Sequence, residues 1–185
     1  MVSKEDGRLL LKIARQSVES VFSKLPYNLD LKTQKQFSER AGVFVTLYKG
    51  RDLRGCIGFV EPVYSIGEAV IEAARSAAFR DPRFMPVAKD ELKQIRFEVS
   101  ILTVPEEISV ADAGGLKQIR IGKDGLMVRL GMNSGLLLPS VAVEHKWSAE
   151  QFIMHACEKS GLPPEAWSDP ACHVYKFQAQ VFREQ

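Results

Sequence analysis

Apolar residues recur at helical spacing through Leu10, Ile13, Ala14, Ser17, Val18, Val21 and Leu25, and Pro26 stops the run. Ser3 followed by Asp6 reads as a capping box, so the pattern predicts an amphipathic first helix with a core-facing stripe. A polar connection, Asn28 to Gly42, follows. Val43 to Tyr48 then reads as a strand, Lys49 to Asp52 as a turn, and Leu53 to Val60 as the returning strand. Ser65 with Glu68 opens a second helix through the alanine-rich run Ala69 to Phe79, where small side chains permit close packing. Pro82 discourages helix at Asp81 and ends it.

Ile95 to Ile101 alternates, which predicts one buried and one polar face. Ile119 to Ile121, a Gly122 to Gly125 turn, and Leu126 to Leu130 read as a second hairpin. Leu136 to Pro139 is a short buried run. Ser148 with Gln151 opens a helix that closes at Gly161, before Pro163 and Pro164. His173 to Phe182 alternates again, with Tyr175, Phe177, Ala179 and Val181 on one face. At least six strands without regular βαβ alternation predict an α+β fold with mainly antiparallel sheet.

Composition narrows the class. The 185 residues carry 25 Lys+Arg against 23 Asp+Glu and are 45% hydrophobic, which excludes fibrous, low-complexity and disordered chains. The net charge of +2 gives no general pull toward nucleic acid or membrane. The charged start lacks a signal peptide's apolar core, and no apolar run approaches ~20 residues. Cys56, Cys157 and Cys172 are odd in number and widely spaced, so no disulfide framework is expected. A cytoplasmic protein with reduced thiols is the expectation, as one domain without internal repeats.

The most unusual stretch is Leu53-Arg54-Gly55-Cys56-Ile57-Gly58. Two glycines in a strand mark a bulge or a close backbone approach. A left-handed conformation there would make alanine costly, so Gly55→Ala or Gly58→Ala should harm folding more than Cys56→Ser. Cys56 beside Arg54 is a candidate thiolate nucleophile, because a nearby cation lowers a thiol pKa. The competing reading is a small core cysteine. His145, after Glu144, is the preferred candidate base over His155, which lies mid-helix, and His173, which begins a strand. Arg80, Asp81 and Arg83 can present guanidinium groups to an anion, or pair locally to fix the turn. Metal spacing is lacking, since His155 and Cys157 do not share a helix face, and no glycine pattern fits a nucleotide cofactor. Trp147 and Trp167 read as packing residues, and the clusters Lys89-Asp90-Glu91 and Glu106-Glu107 as solvated surface.

The six residues Leu53 to Gly58 resemble the signature of the AMMECR family, named for the chromosomal region linked to Alport syndrome, midface hypoplasia and elliptocytosis. The resemblance continues in order through Ala78 to Phe84, Glu98 to Leu102, Ile119 to Gly122, Gly135 to Glu144 and Gly161 to Trp167. Met85 departs from a frequent proline, and Phe59-Val60 stand where smaller or polar residues are common. The resemblance implies an α+β fold with a larger and a smaller lobe, and the signature near the cleft between them. It implies no particular reaction. In prokaryotes, similar proteins are encoded beside a Memo-like protein and a radical-SAM protein, which makes those two the expected partners. The chain lacks the Cys-x-x-x-Cys-x-x-Cys motif of the radical enzyme itself.

Two readings compete. In the first, Cys56 is nucleophile or thiol ligand, Arg54, Gly55, Gly58, Arg80, Asp81 and Arg83 form an anion site, and His145 or Glu144 moves protons. In the second, the protein is a non-catalytic scaffold for the Memo-like and radical-SAM proteins. Nucleic-acid binding ranks third, since basic and aromatic residues do not interleave. No metal or cofactor is expected.

Overall fold

The computed structural model describes residues 2–110 and 113–185. The chain forms two compact units, one of residues 1–102 with 180–185 and one of residues 103–179. The fold is α+β, with strands that pair antiparallel throughout the ladders described below.

In the first unit, α1 (Lys4–Ser23) starts at the Ser3–Asp6 capping box. Its stripe buries Leu10, Ile13, Ala14 and Val18, but Val21 in the last turn is 44% exposed, and Leu25 is 67% exposed because the helix ends at Ser23 and Lys24 turns left-handed. The expected polar connection contains a short helix, α2 (Leu31–Gln36), opened by Asp30, whose carboxylate accepts the Thr33 N–H. Strands β1 (Gly42–Lys49) and β2 (Asp52–Phe59) make the anticipated hairpin. Helix α3 (Ile66–Phe79) begins directly after the Ser65–Glu68 capping box and buries Ala69, Val70, Ala73, Ala74, Ala77 and Ala78. Strand β3 (Ile95–Leu102) pairs with β1.

The first sheet thus runs β2-β1-β3, and the last residues of β7 (His173–Arg183) lie beside β3. One face of it, Val43, Val45, Leu47, Phe97, Val99 and Ile101, builds a core with α1 and α3. The expectation of a solvated opposite face on β3 does not hold. Glu98 and Ser100 are both buried there, and only Arg96 of that set is exposed.

In the second unit the order is β6-β5-β7-β4, with β4 (Glu106–Ile108), β5 (Asp124–Leu130) and β6 (Asn133–Leu137). The second hairpin therefore lies one step later than the sequence pattern predicted. Residues 119–121 are not strand. Asp124 accepts the Arg120 N–H at 2.9 Å and pairs with its guanidinium, which closes a turn there, and β5 pairs onward with β6. Short α4 (Ala113–Leu116) and α5 (Pro139–Glu144) precede α6 (Ala149–Lys159), whose Phe152, Ile153, Ala156 and Cys157 form the core with Leu126, Val128 and Val174. On β7 it is Val174 that enters this core, and Phe182 packs on the core of the first unit. Of the residues that the alternation places on one face, Phe177 is buried and Val181 is 41% exposed.

Candidate functional site

The signature strand is pressed tightly from both sides. A Cβ on Gly55 would stand 2.1 Å from the Ala77 carbonyl oxygen of α3. One on Gly58 would meet the Val43 carbonyl oxygen at 2.3 Å and the Phe44 ring at 2.4 Å. Neither glycine has positive φ; those that do are Gly50, Gly122, Gly131 and Gly161. Close approach, not left-handed backbone, is what requires glycine at 55 and 58.

Because Gly55 faces α3, Cys56 faces the other side of the sheet. There it stands opposite Thr46, with the thiol sulfur 3.2 Å from the Thr46 hydroxyl. Thr46 is in turn opposite Glu98, and Glu98 pairs with the Arg183 guanidinium. Cys56, Thr46 and Glu98 therefore form a continuous row across β2, β1 and β3. Ser100, two residues along β3 on the same face, is 1% exposed, and its hydroxyl has no hydrogen-bond partner among the described residues.

The backbone of Cys56 points outward from the β2 edge. Its N–H donates to the Asp81 carboxylate at 2.9 Å, and its carbonyl accepts from the Arg83 guanidinium at 3.2 Å. Arg83 also forks onto Asp81, at 3.0 and 2.7 Å. The Asp81–Arg83 pair thus stands where a neighbouring strand would bond, and it caps an otherwise open edge. Asp81 is buried, and its bonds to Arg83 hold its carboxyl well below the usual carboxylate range.

Arg54 sits at the register shift between Leu47 and Tyr48 and forks onto Glu91, at 2.8 and 3.0 Å. That bond and Lys49 pull the Glu91 carboxyl down to about 2. Arg80 pairs with Glu72 and with the Ser76 hydroxyl. So the three arginines expected to hold an anion are each committed to a carboxylate. Glu91, read from sequence as solvated surface, is instead the acceptor that fixes Arg54.

Burial pushes the Cys56 thiol up, against smaller opposing effects of Thr46 and Arg83. Arg54, the cation expected to lower it, is engaged with Glu91. The expected proton-handling residues, Glu144 and His145, belong to the second unit. His145 is exposed and stacks on Trp147 at 4.7 Å; Trp147 stacks on His155 at 3.9 Å. His155 meets Glu158, and His173 meets Glu107, each at 2.6 Å. Among the described residues no three His, Cys, Asp or Glu side chains are grouped to hold a metal ion, and no helix is long and apolar enough to cross a membrane.

Sequence reasoning did not name Thr46, Glu98 or Ser100 as site residues, and it read Glu91 as surface. The alternation of β3 placed Glu98 and Ser100 on its polar side, but only the register sets them, and Thr46 of β1, on the face that carries Cys56.

Fold and site together define an α+β protein whose signature strand is clamped by ion pairs and glycine contacts. Comparison with known proteins agrees over nearly the whole chain. The AMMECR1 family model matches residues 11–182, and the chain belongs to that family. It is 50% identical to a protein of Methanothermobacter thermautotrophicus, over 99% of this chain and 96% of that one. It is 44% identical to protein TK0174 of Thermococcus kodakarensis, over 100% and 93%. The crystal structure of the uncharacterized protein PH0010 from Pyrococcus horikoshii superimposes with a TM-score of 0.93 at 41% identity, covering 100% of this chain and 94% of that one.

Proposed function

We propose that the protein binds a small polar ligand on the sheet face carrying Cys56, Thr46, Glu98 and Ser100, with Cys56 serving as a neutral thiol. The observation that carries this reading is the buried Ser100 hydroxyl beside that row, which has no partner among the described residues. A buried hydroxyl without a partner costs about 1–3 kcal/mol, and a ligand atom bonded to it recovers that cost. Asp81 and Arg83 hold the strand backbone at Cys56, Arg54 is held by Glu91, and Gly55 and Gly58 let the strand seat closely. Arg80 anchors the end of α3. Glu144 and His145 have no part in this reading.

Two measurements test it. Iodoacetamide should label Cys56 more slowly than a peptide thiol at neutral pH; labelling as fast or faster restores the nucleophile. A small-molecule fraction of a cell extract should raise the melting temperature of the parent protein but not of Ser100→Ala. No shift in the parent, or an equal shift in both, removes the ligand site. The three unpaired cysteines fit a reducing compartment, the cytoplasm. On the family resemblance, the Memo-like and radical-SAM proteins are the partners that make or use the ligand. Co-purification that persists in Ser100→Ala would favour the scaffold reading instead.

A further inference from the structure

A second feature of the first unit lies apart from the signature strand. An open recess of about 650 Å³ is lined by Arg8, Lys12 and Arg15 of α1, Lys93 of the 3-10 turn Glu91–Gln94, Arg96 of β3 and Arg183 of β7. Its apolar floor includes the buried side chains of Leu11 and Ile95. The volume falls within the range of small-molecule sites, roughly 300–1,000 Å³.

The charges do not cancel. Glu184 forks onto Arg15 at 2.7 and 2.6 Å, and Glu19 adds a weaker attraction to the same guanidinium. Glu98 takes Arg183. Arg96 donates to the Gly50 carbonyl, a neutral acceptor. Glu5 lies three residues before Arg8 without forming an ion pair with it. Arg8, Lys12, Lys93 and Arg96 therefore converge with no carboxylate partner among the described residues. Arg8 and Lys12 are moreover spaced i, i+4 on one helix face, where like charges repel and destabilise the helix. In a chain of net charge +2, four cations without an ion-pair partner among the described residues line one concavity, which favours an anion there.

We propose that this recess binds a small oligophosphate. Guanidinium forks and ammonium point charges together suit the crowded oxygens of linked phosphates. A bounded recess fits a compact polyanion. A nucleic-acid strand would need an extended basic track with exposed aromatic rings for stacking. No aromatic side chain is among the recess-lining residues, and Phe97 is buried beneath the Arg15 guanidinium at 4.8 Å. Arg15, fixed by Glu184 and bonded to the Ile95 carbonyl at 2.7 Å, is the rigid wall; Arg8, Lys12, Lys93 and Arg96 are the ligand contacts.

Calorimetric titration of the full chain with sodium tripolyphosphate tests this, with sulfate at equal ionic strength as the single-anion comparison. Saturable binding is expected with tripolyphosphate, at least about tenfold tighter than with sulfate, and weaker as salt rises from 50 to 200 mM. The double variant Arg8→Ala/Lys12→Ala should lose about tenfold or more in affinity. Lys32→Ala, on exposed α2, should lose none. Both altered side chains of the double variant are exposed, so its melting temperature should match or slightly exceed the parent's. Absence of saturation at millimolar tripolyphosphate overturns the proposal. So does an equal loss in Lys32→Ala, which would mean diffuse attraction, or a melting temperature several degrees lower in the double variant. A short oligonucleotide that binds more tightly than tripolyphosphate would replace the recess with a nucleic-acid surface and overturn it as well.

Discussion

Gly55→Ala is the sharpest perturbation of the signature strand. The new methyl carbon would stand 2.1 Å from the Ala77 carbonyl oxygen and 3.1 Å from its carbon. Ordinary contact begins near 3.4 Å, so strand and helix must separate by on the order of 1 Å. The obstructing atoms are helix backbone inside a core that includes Ala73, Ala77, Val45 and Leu47, and no rotamer change relieves them. Overpacking of this kind costs about 1–3 kcal/mol, and the rigid obstruction places it at the upper end. The entropy removed from the unfolded chain returns only ~0.4–1 kcal/mol. A net loss of about 2 kcal/mol lowers the melting temperature by roughly 4–8 °C in a chain of this size. Cys56→Ser keeps the volume and a hydrogen bond to Thr46, and should lose about 1 kcal/mol or less. Gly131→Ala, at φ +58 with nothing within 4 Å, isolates the conformational penalty from the steric one. Thermal melts of the three variants by circular dichroism decide the matter. If Gly55→Ala melts within 2 °C of the parent, or if Cys56→Ser melts below Gly55→Ala, close approach is not what the glycine serves.

Other outcomes follow from the ion pairs and thiols. Asp81→Asn removes the charge that receives Arg83 and weakens the bond to the Cys56 N–H, and should cost about 2 kcal/mol in a denaturant titration, since Arg83 itself stays half exposed. An equal midpoint and slope in parent and variant would show that the edge cap contributes nothing. The Glu91 carboxyl is depressed from 4.5 to about 2, so its contribution is full above about pH 4.5 and lost as pH falls through about 2. Glu91→Gln should therefore be destabilised by roughly 2–3 kcal/mol at pH 7, and the difference should vanish near pH 2; a gap constant from pH 7 to pH 2 would refute the charge basis. Cys157, fully buried with its thiol pushed up to about 11, should resist alkylation until the second unit unfolds, and rapid labelling in the native protein would contradict its burial.

Much of the fold was legible along the chain. The capping boxes at Ser3, Ser65 and Ser148 all form, because each needs only residues three positions apart. The β1–β2 hairpin was readable for the same reason, as two apolar runs joined by a short turn. Where several local solutions competed, the reading failed. Residues 119–121 had a strand-like pattern, yet Asp124 captures Arg120, and β5 takes the later partner β6. The short helices α2 and α5 carry too little periodicity to stand out in a polar or proline-bounded stretch.

At the site, the sequence by itself determined that Leu53 to Gly58 is unusual, that its glycines allow close backbone approach, and that arginines and acids lie within a few residues of Asp81. Only the tertiary structure decided what those groups do. The pairing register, a long-range property, brings Thr46 and Glu98 into the row with Cys56 and leaves Ser100 buried without a partner among the described residues. The fold carries Glu91 to Arg54 and Asp81 to the Cys56 backbone, across 37 and 25 residues of chain, and the first of these engages the cation expected to activate the thiol. Burial then raises the Cys56 thiol pKa. Charge and burial act through space, and distance along the chain does not encode either.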